Sequence, residues 1–181
     1  MQKGFSLIEL ILVLFIAAIL LMIMVPSQKI FLDHAAERSR GSQLFQAIHL
    51  SRNAAISHNK PILLCKSSDH KMCSGGWQDG YIILENKKVM SVFQNNPADG
   101  VLYWRSSLRR DYLEFMPEGT THGENGTFWY CPNEAVNPVW AIIVSQSGRA
   151  REVFPDQFGK IKDAEGKWLS CSFSSNGKYS V

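Results

Sequence analysis

The sequence predicts an α+β protein in which one long N-terminal helix packs on an antiparallel β-sheet domain. Three features lead to this prediction: an uninterrupted apolar run over residues 5–25, an amphipathic helical pattern over residues 26–60, and short β-type runs in residues 61–181. A helix and a sheet that each have one apolar face can bury those faces against each other.

The apolar run of residues 5–25 contains a single charge, Glu9, and is long enough to cross a bilayer as a helix. It is longer than the apolar core of a secretory signal peptide, and no small-residue cleavage site follows it. A small-residue site precedes it instead, between Gly4 and Phe5. Lys3 favours a cytoplasmic N-terminus. We therefore expect a single span with the remaining chain in the periplasm.

Glu9 is the unusual residue of this segment, because a carboxylate within a spanning helix costs roughly 2.5–3.5 kcal/mol. A cut after Gly4 would give it a partner, since the new α-amino group of Phe5 would lie one helical turn away. The alternative is that Glu9 lies at the headgroup boundary, where the dipole of a helix start favours an acid.

Residues 26–60 continue the helix as an amphipathic segment. Apolar residues recur at three- and four-residue steps, at Phe31, Ala35, Leu44, Phe45, Ile48, Ala55 and Ile56. Pro26 is expected to kink or locally melt the helix, because proline removes one backbone hydrogen bond and clashes with the preceding turn. Asn59, Lys60 and Pro61 predict its end, because a residue before proline avoids the helical region.

Residues 61–181 predict a β-rich globular domain. Short β-type runs alternate there with breaks that contain glycine, proline or other turn residues. The runs cover residues 62–65, 81–84, 88–93, 101–104, 112–116, 127–131, 139–144 and 150–154. We expect these strands to form an antiparallel sheet on the apolar face of the helix.

The four cysteines, Cys65, Cys73, Cys131 and Cys171, lie in the part of the chain expected outside the cytoplasm, where disulfides are the default. Four cysteines allow several connectivities. A local bridge between Cys65 and Cys73 is the simplest, and it leaves Cys131 with Cys171 to tie the C-terminal tail to the sheet. The rival interpretation is a zinc site made by Cys65, His70 and Cys73, which an oxidising compartment disfavours.

No catalytic pattern is recognisable in the sequence. The five histidines are scattered, and no nucleophile elbow, zinc-protease motif or phosphate-binding loop occurs. We predict a protein that is not an enzyme and uses no cofactor and no metal. Asn125, Gly126 and Thr127 match a glycosylation sequon, but Asn-Gly is a strong turn dipeptide, so we predict a turn there.

The N-terminus resembles a family signature. Lys3-Gly4-Phe5-Ser6-Leu7-Ile8-Glu9-Leu10 is similar to the class III signal of type IV pilins and type II secretion pseudopilins. This resemblance implies that residues 1–4 are a leader, that a prepilin peptidase cuts after Gly4 and methylates Phe5, that Glu9 recruits neighbouring subunits, and that Pro26 interrupts the stem helix. It also implies a chain held in the bacterial inner membrane until an assembly platform builds it, with major and minor pilins, into a surface pilus.

Three downstream segments resemble the GspH/FimT group, which includes FimT/FimU-type minor pilins. They are residues 54–62, residues 115–119 and, above all, Ser147-Gly148-Arg149-Ala150-Arg151. In FimT-type minor pilins a Gly-Arg-x-Arg motif is associated with DNA capture during natural transformation. The resemblance therefore implies DNA contacts by Arg149 and Arg151.

The same arginines suit phosphate binding on physical grounds. In an extended segment Arg149 and Arg151 point to one face, roughly 6–7 Å apart, and Gly148 permits a close approach. A guanidinium group binds phosphate oxygens bidentately, whatever the base sequence. Lys160 and Lys162 add positive charge nearby, although acids are interleaved with them, at Glu152, Asp156, Asp163 and Glu165.

Competing interpretations accompany this prediction. The paired arginines could form an ordinary solvated face, in which case the chain would be an assembly-priming minor pilin or a GspH-like pseudopilin with a purely structural role. An adhesin is a further possibility that no residue selects. A second basic cluster, Arg105, Arg109 and Arg110, lies beside Tyr103 and Trp104. It could stack on bases, or it could be a turn anchored by a core tryptophan.

Overall fold

The computed structural model describes residues 6–133 and 135–171, without the side chains of residues 22–34 and of residue 98. The predicted cleavage site at Gly4 and Phe5 lies outside these residues. The chain divides into two compact units, Met1–Ser39 and Arg40–Val181.

Helix α1 runs over Leu7–His58. The backbone N–H of Glu9 donates to the Ser6 carbonyl over 3.0 Å, which places Glu9 in the first turn, where the helix dipole favours an acid. Pro26 is expected either to kink or to melt the helix locally, and melting does not occur, because the backbone is helical at residue 26. Within the part of the chain that the structure describes, no helix combines the length and the apolarity needed to cross a bilayer.

The predicted helix end is confirmed. Asn59 adopts a positive φ of 51°, and the N–H of Lys60 donates to the Ala55 carbonyl over 3.3 Å. This is the hydrogen bond of a Schellman cap, which satisfies a carbonyl that the last helical turn leaves free.

In the described residues, eight strands follow α1, each where the sequence predicts one. They are β1 Ile62–Lys66, β2 Gly80–Glu85, β3 Lys88–Gln94, β4 Gly100–Ser106, β5 Tyr112–Phe115, β6 Gly126–Pro132, β7 Trp140–Val144 and β8 Ala150–Val153. They form two four-stranded sheets rather than one. The first sheet has the order β3-β2-β1-β5 and the second has the order β4-β6-β7-β8, with every pair antiparallel.

The core joins the last turns of α1 to both sheets. Leu44, Ala47, Ile48 and Ala55 are buried on the helix, in one cluster with apolar side chains of both sheets, among them Ile62, Leu64, Phe115, Phe128 and Ile142. Small helical residues allow the layers to approach closely. A Cβ on Gly41 would lie 3.2 Å from the indole ring of Trp140, so the glycine that weakens the helix serves packing instead.

The second sheet has an inner face on this core and an outer face on its other side. Side chains alternate along each strand, so the register defines cross-strand rows on the outer face. One row is Tyr103, Trp129, Ala141 and Val153, and the next is Arg105, Thr127, Ile143 and Arg151.

Residues 154–171, here named the C-terminal arm, cover part of this outer face. Ile161 and Leu169 of the arm form a small buried cluster with Ala141, against which Trp129 and Val153 pack. The arm is held at its end by a hydrogen bond of 3.1 Å from the Cys171 N–H to the Val136 carbonyl.

Both disulfides of the simplest connectivity are present. Cys65 bonds to Cys73, eight residues away, and Cys131 bonds to Cys171, 40 residues away. The second bridge joins β6 to the end of the C-terminal arm, as predicted. The zinc alternative at Cys65 and Cys73 is wrong, because each sulfur is bonded to the other and neither is a thiolate.

The turn predicted at Asn125 and Gly126 is wrong. The chain turns at His122 and Gly123, and Gly126 already belongs to β6. A Cβ on Gly126 would lie 2.2 Å from the Trp104 ring. The glycine is there because an aromatic ring crosses the strand, not because the chain reverses.

Candidate nucleic-acid interface

The turn between β7 and β8 carries the Gly-Arg-x-Arg residues. The Gly148 N–H donates to the Ser145 carbonyl, and the Ser145 N–H donates to the Arg149 carbonyl, both over 2.9 Å. Gly148 has a φ of +74°, and a Cβ at this position would lie 1.9 Å from the Gly119 carbonyl oxygen. Only glycine fits this backbone without displacing its neighbour.

The same contact joins the turn to α1. The Nε of Arg52 donates to the Gly119 carbonyl over 3.0 Å, and Ile56 packs close to Gly119. The Thr121 N–H also donates to the Gln146 carbonyl over 3.0 Å. The three segments that resemble the GspH/FimT group therefore meet at one place, and no pattern in the sequence had indicated the contribution of Arg52.

Arg149 and Arg151 lie on the outer face of the second sheet, at alternate positions. Both residues are exposed. Arg151 pairs with Ile143 in the register, and Val144 pairs with Ala150 between the two arginines. Among the ion pairs of the described residues, none involves either guanidinium group.

The acids interleaved with the basic residues are mostly engaged elsewhere. Asp156 accepts hydrogen bonds from the backbone N–H groups of Phe158 and Lys160, over 2.9 and 3.0 Å. Asp163 is buried, accepts from two backbone N–H groups and forms an ion pair with Arg105. Glu165 pairs with Lys167 over 2.8 Å. Of the four interleaved acids, Asp156, Asp163 and Glu165 are thus bound to other groups.

Lys160 and Lys162 lie near an aromatic ring that the sequence alone does not place beside them. Their ammonium groups lie 5.7 and 4.5 Å from the centre of the Trp168 ring, within the range of cation–π attraction. Lys162 and Trp168 pair across the arm, and the Trp168 residue is 52% exposed. Alternation around the buried Ile161 was the available signal, because it turns both lysines away from the sheet.

The second basic cluster, residues 105–110, is a structural turn. The Trp104 indole N–H donates to the Arg110 carbonyl over 2.8 Å, and its ring stacks on Phe128 with centres 4.1 Å apart. Arg105 lies over the Trp129 ring, besides its pair with Asp163. The interpretation as a turn anchored by a core tryptophan is confirmed.

Glu124 supports this turn from within the protein. The residue is fully buried, and one of its carboxylate oxygens accepts a hydrogen bond from the Ser106 hydroxyl. Ser106 Oγ in turn accepts from the backbone N–H groups of Leu108 and Arg110, each over 3.2 Å. Burial raises the pKa of the Glu124 carboxyl, and the hydrogen bond from Ser106 opposes that shift. In the sequence Glu124 resembles any surface acid.

The architecture defines the class of protein. The type IV minor pilin FimU of Pseudomonas aeruginosa (strain PAO1) has a similar solved structure, with a TM-score of 0.50 and 20% sequence identity over 64% of this chain and 91% of that chain. A second crystal form of FimU gives the same TM-score and identity over 67% of this chain and 90% of that one. The chain thus has the type IV pilin fold, an α+β architecture that agrees with the prediction from the sequence and with its resemblance to type IV pilins.

The family follows from two family models. The model described as type II transport protein GspH matches residues 41–148, and the model described as a prokaryotic N-terminal methylation motif matches residues 1–25. The chain belongs to the GspH family and is a pilin of the GspH/FimT type. No curated protein sequence matches it significantly.

Membership in this family has general consequences. It implies prepilin processing at the N-terminal motif, interaction with other pilins and a membrane-anchored, pilus-associated protein. It favours a structural rather than an enzymatic role. The GspH match ends at Gly148, so Arg149 and Arg151 lie beyond the matched range.

Proposed function

We propose that this chain is a minor type IV pilin that binds DNA without sequence preference, for uptake in natural transformation. The observation that carries the proposal is the pair of exposed arginines, Arg149 and Arg151, on one face of β8 and its turn with no acid paired to either among the described residues. Lys160 and Lys162 extend the positive charge onto the C-terminal arm.

The turn favours binding because it holds the arginine backbone in place. Gly148 is buried against Gly119, and Arg52 fixes that contact from α1. A preorganised pair of guanidinium groups loses less conformational entropy when phosphates bind than a pair on a free tail would. Contacts limited to phosphates carry no base sequence information, so sequence-independent binding is expected.

The N-terminal motif supports a further part of the proposal. A prepilin peptidase cuts after Gly4 and methylates Phe5, and Glu9 then pairs with the N-terminus of a neighbouring subunit. Residues 5–25 hold the chain in the bacterial inner membrane, with Pro26 at the start of the amphipathic half and the domain in the periplasm. The assembly platform then moves the subunit, with major and minor pilins, into a surface pilus.

The experiment compares two double variants of the full chain in a nonionic detergent. Arg149→Gln with Arg151→Gln removes the proposed phosphate contacts. Lys87→Gln with Lys88→Gln removes the same charge from exposed positions at the start of β3. We expect the arginine variant to weaken duplex DNA binding by at least about tenfold and to lower the salt slope by about two. The lysine variant should stay near wild type. Equal affinities of the two variants would refute the proposal.

A purely structural role is the second candidate, as an assembly-priming minor pilin or a pseudopilin of type II secretion. The observation in its favour is the match to the GspH model. If it holds, the arginine variant will assemble into pili or support secretion as wild type does, and the wild-type chain will not retain DNA.

A further inference from the structure

Three aromatic residues of the C-terminal arm are exposed. Phe154 is 55% exposed, Phe158 is 73% exposed and Trp168 is 52% exposed. Water-exposed apolar groups that cluster usually mark a contact surface. Lys160 and Lys162 lie between these rings in the sequence, and both are exposed.

Packing of the arm on the sheet does not require these rings. That packing is supplied by Ile161 and Leu169, which are 1% and 3% exposed and contact the sheet. Lys162 and Trp168 are paired immediately beside these two residues and point outward. The rings therefore have no role in the core of the domain.

The arm presents its rings on a fixed frame. The disulfide of Cys171 with Cys131 holds its end to β6, and the indole N–H of Trp129 donates to the Ser170 carbonyl over 3.3 Å. Asp156 closes the turn that carries Phe158. Its carboxylate accepts hydrogen bonds from backbone N–H groups, and none of the ion pairs among the described residues joins it to a lysine.

We infer that the C-terminal arm binds the unpaired bases of single-stranded DNA. This inference rests on the proposed DNA binding and names the class of its substrate. Phe158 and Trp168 stack on bases, while the lysines contact the phosphates between them. Every base has a π face, so stacking is independent of sequence. In a duplex the bases already stack on one another and are closed to these rings, so only the charged contacts remain.

Three fluorescent probes of equal length separate these contributions in the full chain: a dT oligonucleotide, the same backbone with abasic sites, and a dA·dT duplex. We expect the dT strand to bind about fivefold to a hundredfold more tightly than the abasic strand, because each stacked base contributes to affinity. Trp168→Ser and Phe158→Ser should each reduce that ratio and leave duplex and abasic binding unchanged. Indole fluorescence should be quenched by dT in wild type, and less in Trp168→Phe.

Leu108→Ser is the matched control, since Leu108 is 48% exposed on the structural turn of residues 105–110, and the dT-to-abasic ratio should not change. Equal binding of dT and abasic strands, or an unchanged ratio in both aromatic variants, overturns the inference. The proposed DNA binding is still supported after either of these outcomes if Arg149→Gln with Arg151→Gln weakens the binding of all three probes. Binding of none of the probes overturns both.

Discussion

The turn of residues 105–110 and the C-terminal arm have similar composition but different partners. Each combines arginine or lysine with a tryptophan. Trp104 stacks on the core and donates to a backbone carbonyl, while Trp168 is half exposed and lies beside Lys160 and Lys162. Aromatic and basic residues together therefore predict little by themselves. A ring packed on the core and an arginine paired with an acid indicate a structural turn, whereas an exposed ring beside lysines that form no ion pair among the described residues indicates a surface open to a partner.

The two tryptophans give the largest test of this contrast. We expect Trp104→Ala to lower the free energy of unfolding by about 3–5 kcal/mol, because it removes a packed ring and leaves a cavity. Trp168→Ala should change it by no more than about 0.5 kcal/mol, as is usual for surface sites. Urea denaturation followed by circular dichroism measures both. A large loss for Trp168→Ala would show that its ring is structural.

The two disulfides should differ in how much they stabilise the protein, and the bridge that closes the longer loop should contribute more. Loop-closure entropy gives about 4 kcal/mol for the bridge of Cys131 with Cys171 and about 2.5 kcal/mol for that of Cys65 with Cys73, since they close 40 and eight residues. Each pair is replaced by alanines and the thermal midpoints are compared. Loss of the longer bridge should also weaken dT binding, because it frees the arm, whereas loss of the shorter one should not.

Gly148→Ala tests the base of the arginine pair. The variant needs a positive φ and meets the Gly119 carbonyl, so we expect a loss of about 2–4 kcal/mol. Gly159→Ala is the control on the arm, because it has a φ of +70° with nothing within 4 Å of the added Cβ. It should lose only the backbone term, about 1–2 kcal/mol. Similar losses for both would contradict the role assigned to the Gly119 contact.

The smallest expected effect concerns Glu124 under the structural turn. Because its pKa is raised in the folded state, the folded protein binds more protons than the unfolded chain above the ordinary value of 4.5, and stability falls as pH rises through that window. Glu124→Gln should therefore stabilise the protein by about 1 kcal/mol at pH 7.5 and have no effect below about pH 4. Thermal melts at both pH values measure it. If Glu124→Gln is instead less stable than the wild type at pH 7.5, the charge of the carboxylate stabilises the folded protein.

Features that depend on local pattern were predictable from the sequence. All eight strands and the helix end follow from alternation and turn residues, and the common face of Arg149 and Arg151 follows from the strand period of two. The division into two sheets did not follow. It depends on β5 pairing with β1, so that β4 pairs with β6 instead, and no local signal encodes that choice.

Parts of the candidate site were missed for the same reason. The cation–π contact of Lys162 with Trp168 exists because the arm folds back on itself. Arg52 reaches Gly119 across 67 positions in the chain. The burial of Glu124 arises from the meeting of residues 106–110 with residues 121–125. Each contact joins segments that have no shared periodicity.

The packing of Gly148 against Gly119 also affects how the Gly-Arg-x-Arg motif should be used to compare sequences. The glycine of such a motif indicates that two backbone segments pack closely at the end of the second sheet, and this packing alone is a sufficient reason for a glycine at the position. The arginines, by contrast, indicate a positively charged surface on the same turn. A related chain that retains the glycine but lacks both arginines is therefore expected to share this turn without its paired positive charge.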